Sequence, residues 1–153
     1  MTNQNKFTGF GPDFKTPVDL LLKLEFDYQR IEKNPRDSYA AFDFFVTADN
    51  MCDWICDKSL RNKEPLLKIV FHLATGAKHF APREFHNSVS EIGSEDGAFD
   101  ANAFDSSAFD VSSLVILLNE DEANIFGTEI TVNEFAKLVI GYWRKKVSII
   151  TLS

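Results

Sequence analysis

Apolar positions recur at helical spacing through the first half of the chain. Leu20, Leu24, Tyr28 and Ile31 fall on one face of a segment whose limits are marked by its own residues. Thr16 can cap it, Pro17 suits the first turn, and Asp19 completes a Thr-x-x-Asp capping box. Asn34-Pro35 ends it, because a residue before proline is pushed out of the helical region. A second helix is predicted from Asp37 or Ser38. Ala41, Phe44, Phe45, Ala48, Cys52 and Ile55 trace its apolar face, and Phe42, Val46, Met51 and Trp54 widen it. So broad a face predicts burial on more than one side. Asp43, Thr47, Asn50 and Asp57 leave a narrow polar strip. After a basic connector (Lys58, Arg61, Lys63), Pro65 opens a third helix to about Ala77. Its inner face is Leu66, Val70, Leu73 and Ala77, its outer face Lys68, His72 and Thr75, and Pro82 prevents its continuation.

The period changes in the second half. Residues 84–92 fit a short strand or a loop, and Val111–Leu118 reads as a buried strand. Asn119–Asn124 reads as an acidic turn, and Phe126–Ile130 as a second short strand. Thr131 and Glu134 then make a capping box, and Ile130 with Phe135 a hydrophobic staple. Val132, Phe135, Ala136, Val139 and Trp143 share one face of this last helix, and Arg144, Lys145 and Lys146 suit its C-terminal end. The tail VSIITLS reads as a strand, able to join the sheet or to pair across a dimer. The expected architecture is α+β in a single domain over residues 1–153: N-terminal antiparallel helices packed with a small antiparallel β-sheet and a C-terminal helix. Trp54 and Trp143 are expected to be buried.

Residues 93–112 stand apart. Ala-Phe-Asp occurs at 98–100, 103–105 and 108–110. Three copies are too few to stack into a repeat core, so the segment reads as a long acidic loop, a kind of element that is functional or disordered in compact domains. Phe99, Phe104 and Phe109 then need shelter, from the parent domain or from a second chain. With Ile149 and Ile150 of the tail they form the expected interaction surface of a homo-oligomer, a dimer.

Composition sharpens this picture. A chain of 153 residues with 44% apolar and 25% charged residues buries roughly 70% of its unfolded surface without help from disulfide or metal. Fifteen phenylalanines predict an aromatic core. No apolar run reaches the ~18 residues of a membrane span, and MTNQNKFTGF lacks the apolar stretch of a signal peptide. The expectation is a cytoplasmic protein with no membrane partner and with Cys52 and Cys56 reduced. The net charge of −7 is uneven: residues 84–136 carry 12 acidic residues and no Lys or Arg, whereas residues 137–153 carry four basic residues and no acidic one. Counterion release needs basic surface, so no nucleic-acid partner is expected. A basic protein partner or a cation suits the middle third, as does plain solubility.

Candidate chemistry is sparse. Cys52 and Cys56, four apart, could share a helix face and join His72 and His79 at a zinc ion, or simply line the core; no metal site is assigned. Asp49, Asp53 and Asp57 could ligate a divalent ion or supply a general base near His79, or form a solvated acidic edge. Lys78-His79 at a helix end could meet an anion or a substrate, or cap the last carbonyls. His72, His79 and His86 repeat every seven residues, but Pro82 interrupts any single helix through them. G-x-G-x-x-G, G-x4-G-K-[ST], G-x-S-x-G, H-E-x-x-H and paired C-x2-C motifs are absent, so no cofactor is implied. Nor does any Arg-His pair have the spacing of helical HEPN ribonucleases.

YAAFDFFVTADNMCDW (39–54), LATGAKHF (73–80) and the segment from Ala108 to Trp143 resemble small bacterial proteins of mobile DNA, of prophage and integron-cassette type. That family has no established activity. The resemblance implies a mobile-element accessory role and points first to Asp53-Trp54 and Lys78-His79. Where such proteins carry a histidine after VTA, this chain has Asp49 and Asn50. The readings to weigh are therefore an oligomeric protein-interaction module, a small hydrolase-type enzyme using Asp53, Lys78 and His79, and a small-molecule binder with an aromatic pocket between the second and third long helices.

Overall fold

A computed structural model describes residues 6–80, 89–94 and 113–152. Six helices and a three-stranded sheet occur among them, in the order α1 (Pro17–Lys33), α2 (Ser38–Trp54), α3 (Leu60–Lys63), α4 (Pro65–His79), β1 (Val89–Ser94), β2 (Leu114–Leu118), α5 (Glu120–Phe126), β3 (Glu129–Thr131) and α6 (Val132–Leu152). The fold is α+β, as the sequence predicts.

The start of α1 forms as its residues require. The Thr16 hydroxyl accepts from the Asp19 N–H at 3.2 Å, and the Asp19 carboxylate accepts from the N–H groups of Lys15 and Thr16. Asp37 caps α2 by accepting from the Ala40 N–H at 3.0 Å. α1 and α2 lie antiparallel, since Arg30 bridges to Asp43 near one end and Phe14 stacks on Trp54 near the other. The buried Asp27 carboxylate accepts from Lys23, Arg30 and Thr47 at this seam, so the charge is compensated on every side. Thr47, placed by the sequence on the polar strip, is buried because it serves that carboxylate.

α6 closes the helical layer. Val132, Phe135, Ala136, Val139, Ile140, Trp143 and Val147 are buried along one of its faces. An aromatic chain runs from Tyr28 through Phe44, Phe45 and Phe135 to Phe126, with ring centroids 5.3–6.3 Å apart at each step. Such pairs add about 0.5–1.5 kcal/mol each beyond their area. The sheet has the order β1-β2-β3 and is antiparallel throughout, with Ile92 opposite Ile116 and Ile116 opposite Ile130. Ile116 and Leu118 join the helical core. The Leu114 N–H donates to the Pro35 carbonyl at 3.2 Å, which ties the start of β2 to the α1–α2 turn.

Several expectations are corrected. The tail is not a strand: α6 continues to Leu152, so Arg144–Lys146 lie inside the helix rather than at its end. Val147 continues the buried face, and the Thr151 hydroxyl donates to the Val147 carbonyl, so helical packing overrides the β-branched composition of VSIIT. Asn119–Asn124 is not a turn, because Glu120–Phe126 forms α5, and the second short strand begins only at Glu129. In α4 the buried positions are Leu67, Ile69 and Val70, whereas Leu66, Leu73 and Ala77 are half-buried. Trp143 is fully buried, but Trp54 is only half so.

Candidate functional site

Described residues line a cleft of about 640 Å³. It lies where the N-terminal half of α2 faces the C-terminal half of α4, with β1 and β2 behind. α2 supplies Ala41, Phe42 and Phe45; α4 supplies Leu73, Gly76 and Ala77; the sheet supplies Val89, Ile92 and Leu114. Polar groups enter from Ser38 and His72, and Phe80 stands at the rim.

Local sequence explains these walls. The second helix has more apolar surface than one neighbour can cover. Phe45 is buried, while Phe42, three residues earlier, is 51% exposed and opens on the cleft. Gly76 leaves α4 bare at the centre of its wall, with nothing within 4 Å of the place a Cβ would occupy. Phe80 ends the helix with φ +61° and ψ −60°, a strained geometry for a non-glycine residue, and its ring is 95% exposed.

Asp53 lies far from this cleft. It is near the C-terminal end of α2, in a second polar cluster. Arg61 donates to Asp49 through Nε (2.8 Å) and Nη2 (3.1 Å) and to Asp53 through Nη2 (3.0 Å), and Lys58 adds an ion pair to Asp53. The guanidinium also lies 5.1 Å from the Phe71 ring centre. Burial works against the charge on Asp53, but Arg61 and Lys58 outweigh it and hold that carboxyl below its ordinary range. At Asp49 burial prevails over Arg61 and raises the carboxyl. Asp57 is beyond the end of α2, where it accepts from Ser59. The three aspartates therefore do not form a ligand row; two of them are clamped by one arginine.

Lys78 and His79 are exposed in the last turn of α4, beside the cleft. Because α2 and α4 run antiparallel, Asp53 and His79 are roughly 20 Å apart along the helix axes, at 1.5 Å per residue. The structure does not bring Asp53 to Lys78-His79. Neither Lys78 nor His79 makes a hydrogen bond or ion pair among the described residues, so neither caps the helix. α4 does reach His79, which puts His72 and His79 on one face.

Cys52 and Cys56 part company. Cys52 is buried in α2, and burial pushes its thiol up to about 11; Cys56 is exposed after the helix with φ +59°. Among the described residues no group of three or more His, Cys, Asp or Glu is placed to hold a metal ion. No helix among them is long and apolar enough to cross a membrane. Ile149 and Ile150 are 58% and 38% exposed on α6. Phe99, Phe104, Phe109 and His86 lie outside the described residues.

Sequence reasoning offered an aromatic pocket between the second and third long helices as one of three readings, and missed the contribution of the sheet. The available signal was the excess apolar width of α2 and the isolated Gly76 in an otherwise apolar helix. The chain matches no known family, no characterised protein and no solved structure.

Proposed function

We propose that the protein is a binding module for a small apolar molecule, held in the cleft between α2, α4 and the sheet. The observation that carries this reading is the cleft itself. Its volume, about 640 Å³, is within the range of sites that take small ligands, and its walls are apolar with a few polar groups at the edge. Uptake of a neutral fluorescent dye, N-phenyl-1-naphthylamine, tests it. Wild-type protein is expected to raise the dye's emission saturably. Gly76→Leu, which extends a side chain into the open space, is expected to abolish that rise while leaving the circular dichroism spectrum intact. A rise unaffected by Gly76→Leu sinks the reading.

A second reading, an oligomeric interaction module, is favoured by a different observation. Val18, Leu22 and Phe26 are spaced i, i+4, i+8 along α1 and are 39%, 64% and 61% exposed. Size-exclusion chromatography with light scattering tests it, comparing wild type with Leu22→Lys/Phe26→Lys. A wild-type monomer at all concentrations removes this reading.

A further inference from the structure

Two phenyl rings open on the cleft with no aromatic neighbour. Elsewhere the rings of this chain pair with one another: Phe14 stacks on Trp54, and Phe45 meets both Phe44 and Phe135. Phe42 and Phe80 have no such contact among the described residues, and both line the cleft. Phe42 is 51% exposed on α2, and Phe80 is 95% exposed at the end of α4. Each forgoes apolar burial by standing open to water. Phe80 also carries backbone strain, with φ +61° and ψ −60°, a feature that concentrates where a site grips a ligand.

The wall across from Phe42 is nearly bare. Between Leu73 and Phe80, α4 presents only Gly76 and Ala77 to the cleft, and no atom lies within 4 Å of the place a Gly76 Cβ would occupy. Residues this small let a ligand approach the helix backbone closely. The space is therefore bounded by a ring on one helix and a strip of backbone on the other. Such a slot suits a sheet of sp² carbon better than a puckered ring, whose axial hydrogens hold the walls apart. No Lys, Arg, Asp or Glu is among the described residues that line it, and His72 has an interaction of its own. A charged ligand would thus lose its water without gaining a counter-charge.

We infer that the cleft selects a neutral, planar, fused aromatic ring system. One face of the ligand lies on Phe42, the other on the Gly76–Ala77 strip, and the Phe80 ring meets its outer edge. Offset and edge-to-face contacts of this kind are the ones aromatic pairs prefer. This rests on the reading of the cleft as a site for a small apolar molecule and names the shape class of that molecule.

Equilibrium dialysis of the full chain at neutral pH against 2-naphthol and trans-decahydro-2-naphthol tests it. The two alcohols share a carbon skeleton and a hydroxyl group and differ in flatness. Wild type is expected to bind 2-naphthol about tenfold more tightly, the effect of one or two ring contacts. Phe42→Leu and Phe80→Leu, made singly, keep an apolar side chain at two exposed positions and are each expected to cut that preference to about threefold or less. Gly76→Leu, which fills the slot, is expected to remove binding of both alcohols. Equal binding of the two by wild type, tighter binding of the saturated one, or a tenfold preference that survives in both leucine variants overturns the ring assignment and leaves the apolar site standing. Binding of neither alcohol to wild type, or binding of both that survives Gly76→Leu, overturns the site as well.

Discussion

Arg61 and Asp49 form a two-pronged ion pair across the turn that joins α2 to α4. Nε and Nη2 of the guanidinium donate to the two carboxylate oxygens at 2.8 and 3.1 Å, and Nη2 also donates to the Asp49 backbone carbonyl. Both side chains are nearly enclosed, at 12% and 13% exposure. The pair sits where two long helices reverse direction, and its planar fork matches the carboxylate in a way an ammonium does not.

Removing the arginine strands a partly buried carboxylate. Arg61→Ala is expected to cost about 3 kcal/mol, and Arg61→Lys to recover only part of that. Urea unfolding followed by tryptophan fluorescence reads the difference. A cost for Arg61→Ala under about 0.5 kcal/mol, the scale of an exposed pair, contradicts the clamp.

The two clamped aspartates are expected to act on acid stability in opposite directions. Asp53 has its folded pKa lowered below 3.8. Its contribution is therefore complete above the ordinary value and is lost as pH falls through the folded one. Asp49 has its folded pKa raised above 3.8. Its penalty on the fold is complete above the folded value and is relieved as pH falls toward the ordinary one. Urea midpoints from about pH 2 to 6 should thus lose part of their fall below about pH 4 in Asp53→Asn. In Asp49→Asn they should lose part of a gain on acidification above about pH 4. The same slope change in both variants contradicts this assignment.

Phe80 combines strain with exposure at the cleft rim. Phe80→Gly is expected to stabilise the protein by about 0.5–1 kcal/mol, since glycine takes a positive φ freely and only part of the relieved strain is lost to unfolded-state entropy. The same variant is expected to bind N-phenyl-1-naphthylamine more weakly, having lost a ring beside the site. Thermal melts and dye titration check the two halves together. A destabilised variant shows that the ring makes contacts worth more than the strain.

Lysine at positions 147 and 149 distinguishes a helical tail from an extended one. In a strand these positions share a face; in α6 they are about 200° apart. Val147 is 4% exposed and Ile149 58%. Val147→Lys is expected to cost at least about 3 kcal/mol, and Ile149→Lys to stay within about 0.5 kcal/mol of wild type. Equal costs in urea unfolding contradict the helix.

Much of the fold was legible because its signals are local. The box formed by Thr16 and Asp19 depends on residues three apart, and so does the Thr131 hydroxyl that accepts from the Glu134 N–H. The inner faces of α1 and α2 followed from spacing alone, since Leu24, Ile31, Phe44 and Ala48 are all buried. The tail was misread because Val147, Ile149, Ile150 and Thr151 favour strands locally. The contact of Val147 with the core, which decides the matter, is made by residues distant in the chain.

The candidate site was less legible than the fold. Asp53, Lys78 and His79 stood out as reactive residue types, but reactivity needs proximity, and antiparallel packing of α2 against α4 sends them to opposite ends. Arg61 gave no sign in the sequence of being more than part of a basic connector. Its role depends on a turn that carries it back over Asp49 and Phe71.

The sequence by itself determined the starts of α1, α2, α4 and α6, the aromatic core and the α+β class, because caps, periodicity and side-chain size act over a few residues. Tertiary structure alone decided the cleft and the clamp. Both bring together side chains from separate segments: Phe42, Gly76, Ile92 and Leu114 in one case, Asp49 and Arg61 in the other. Whether such groups meet depends on how the helices and the sheet pack, a many-body outcome of burial that no stretch of neighbouring residues encodes.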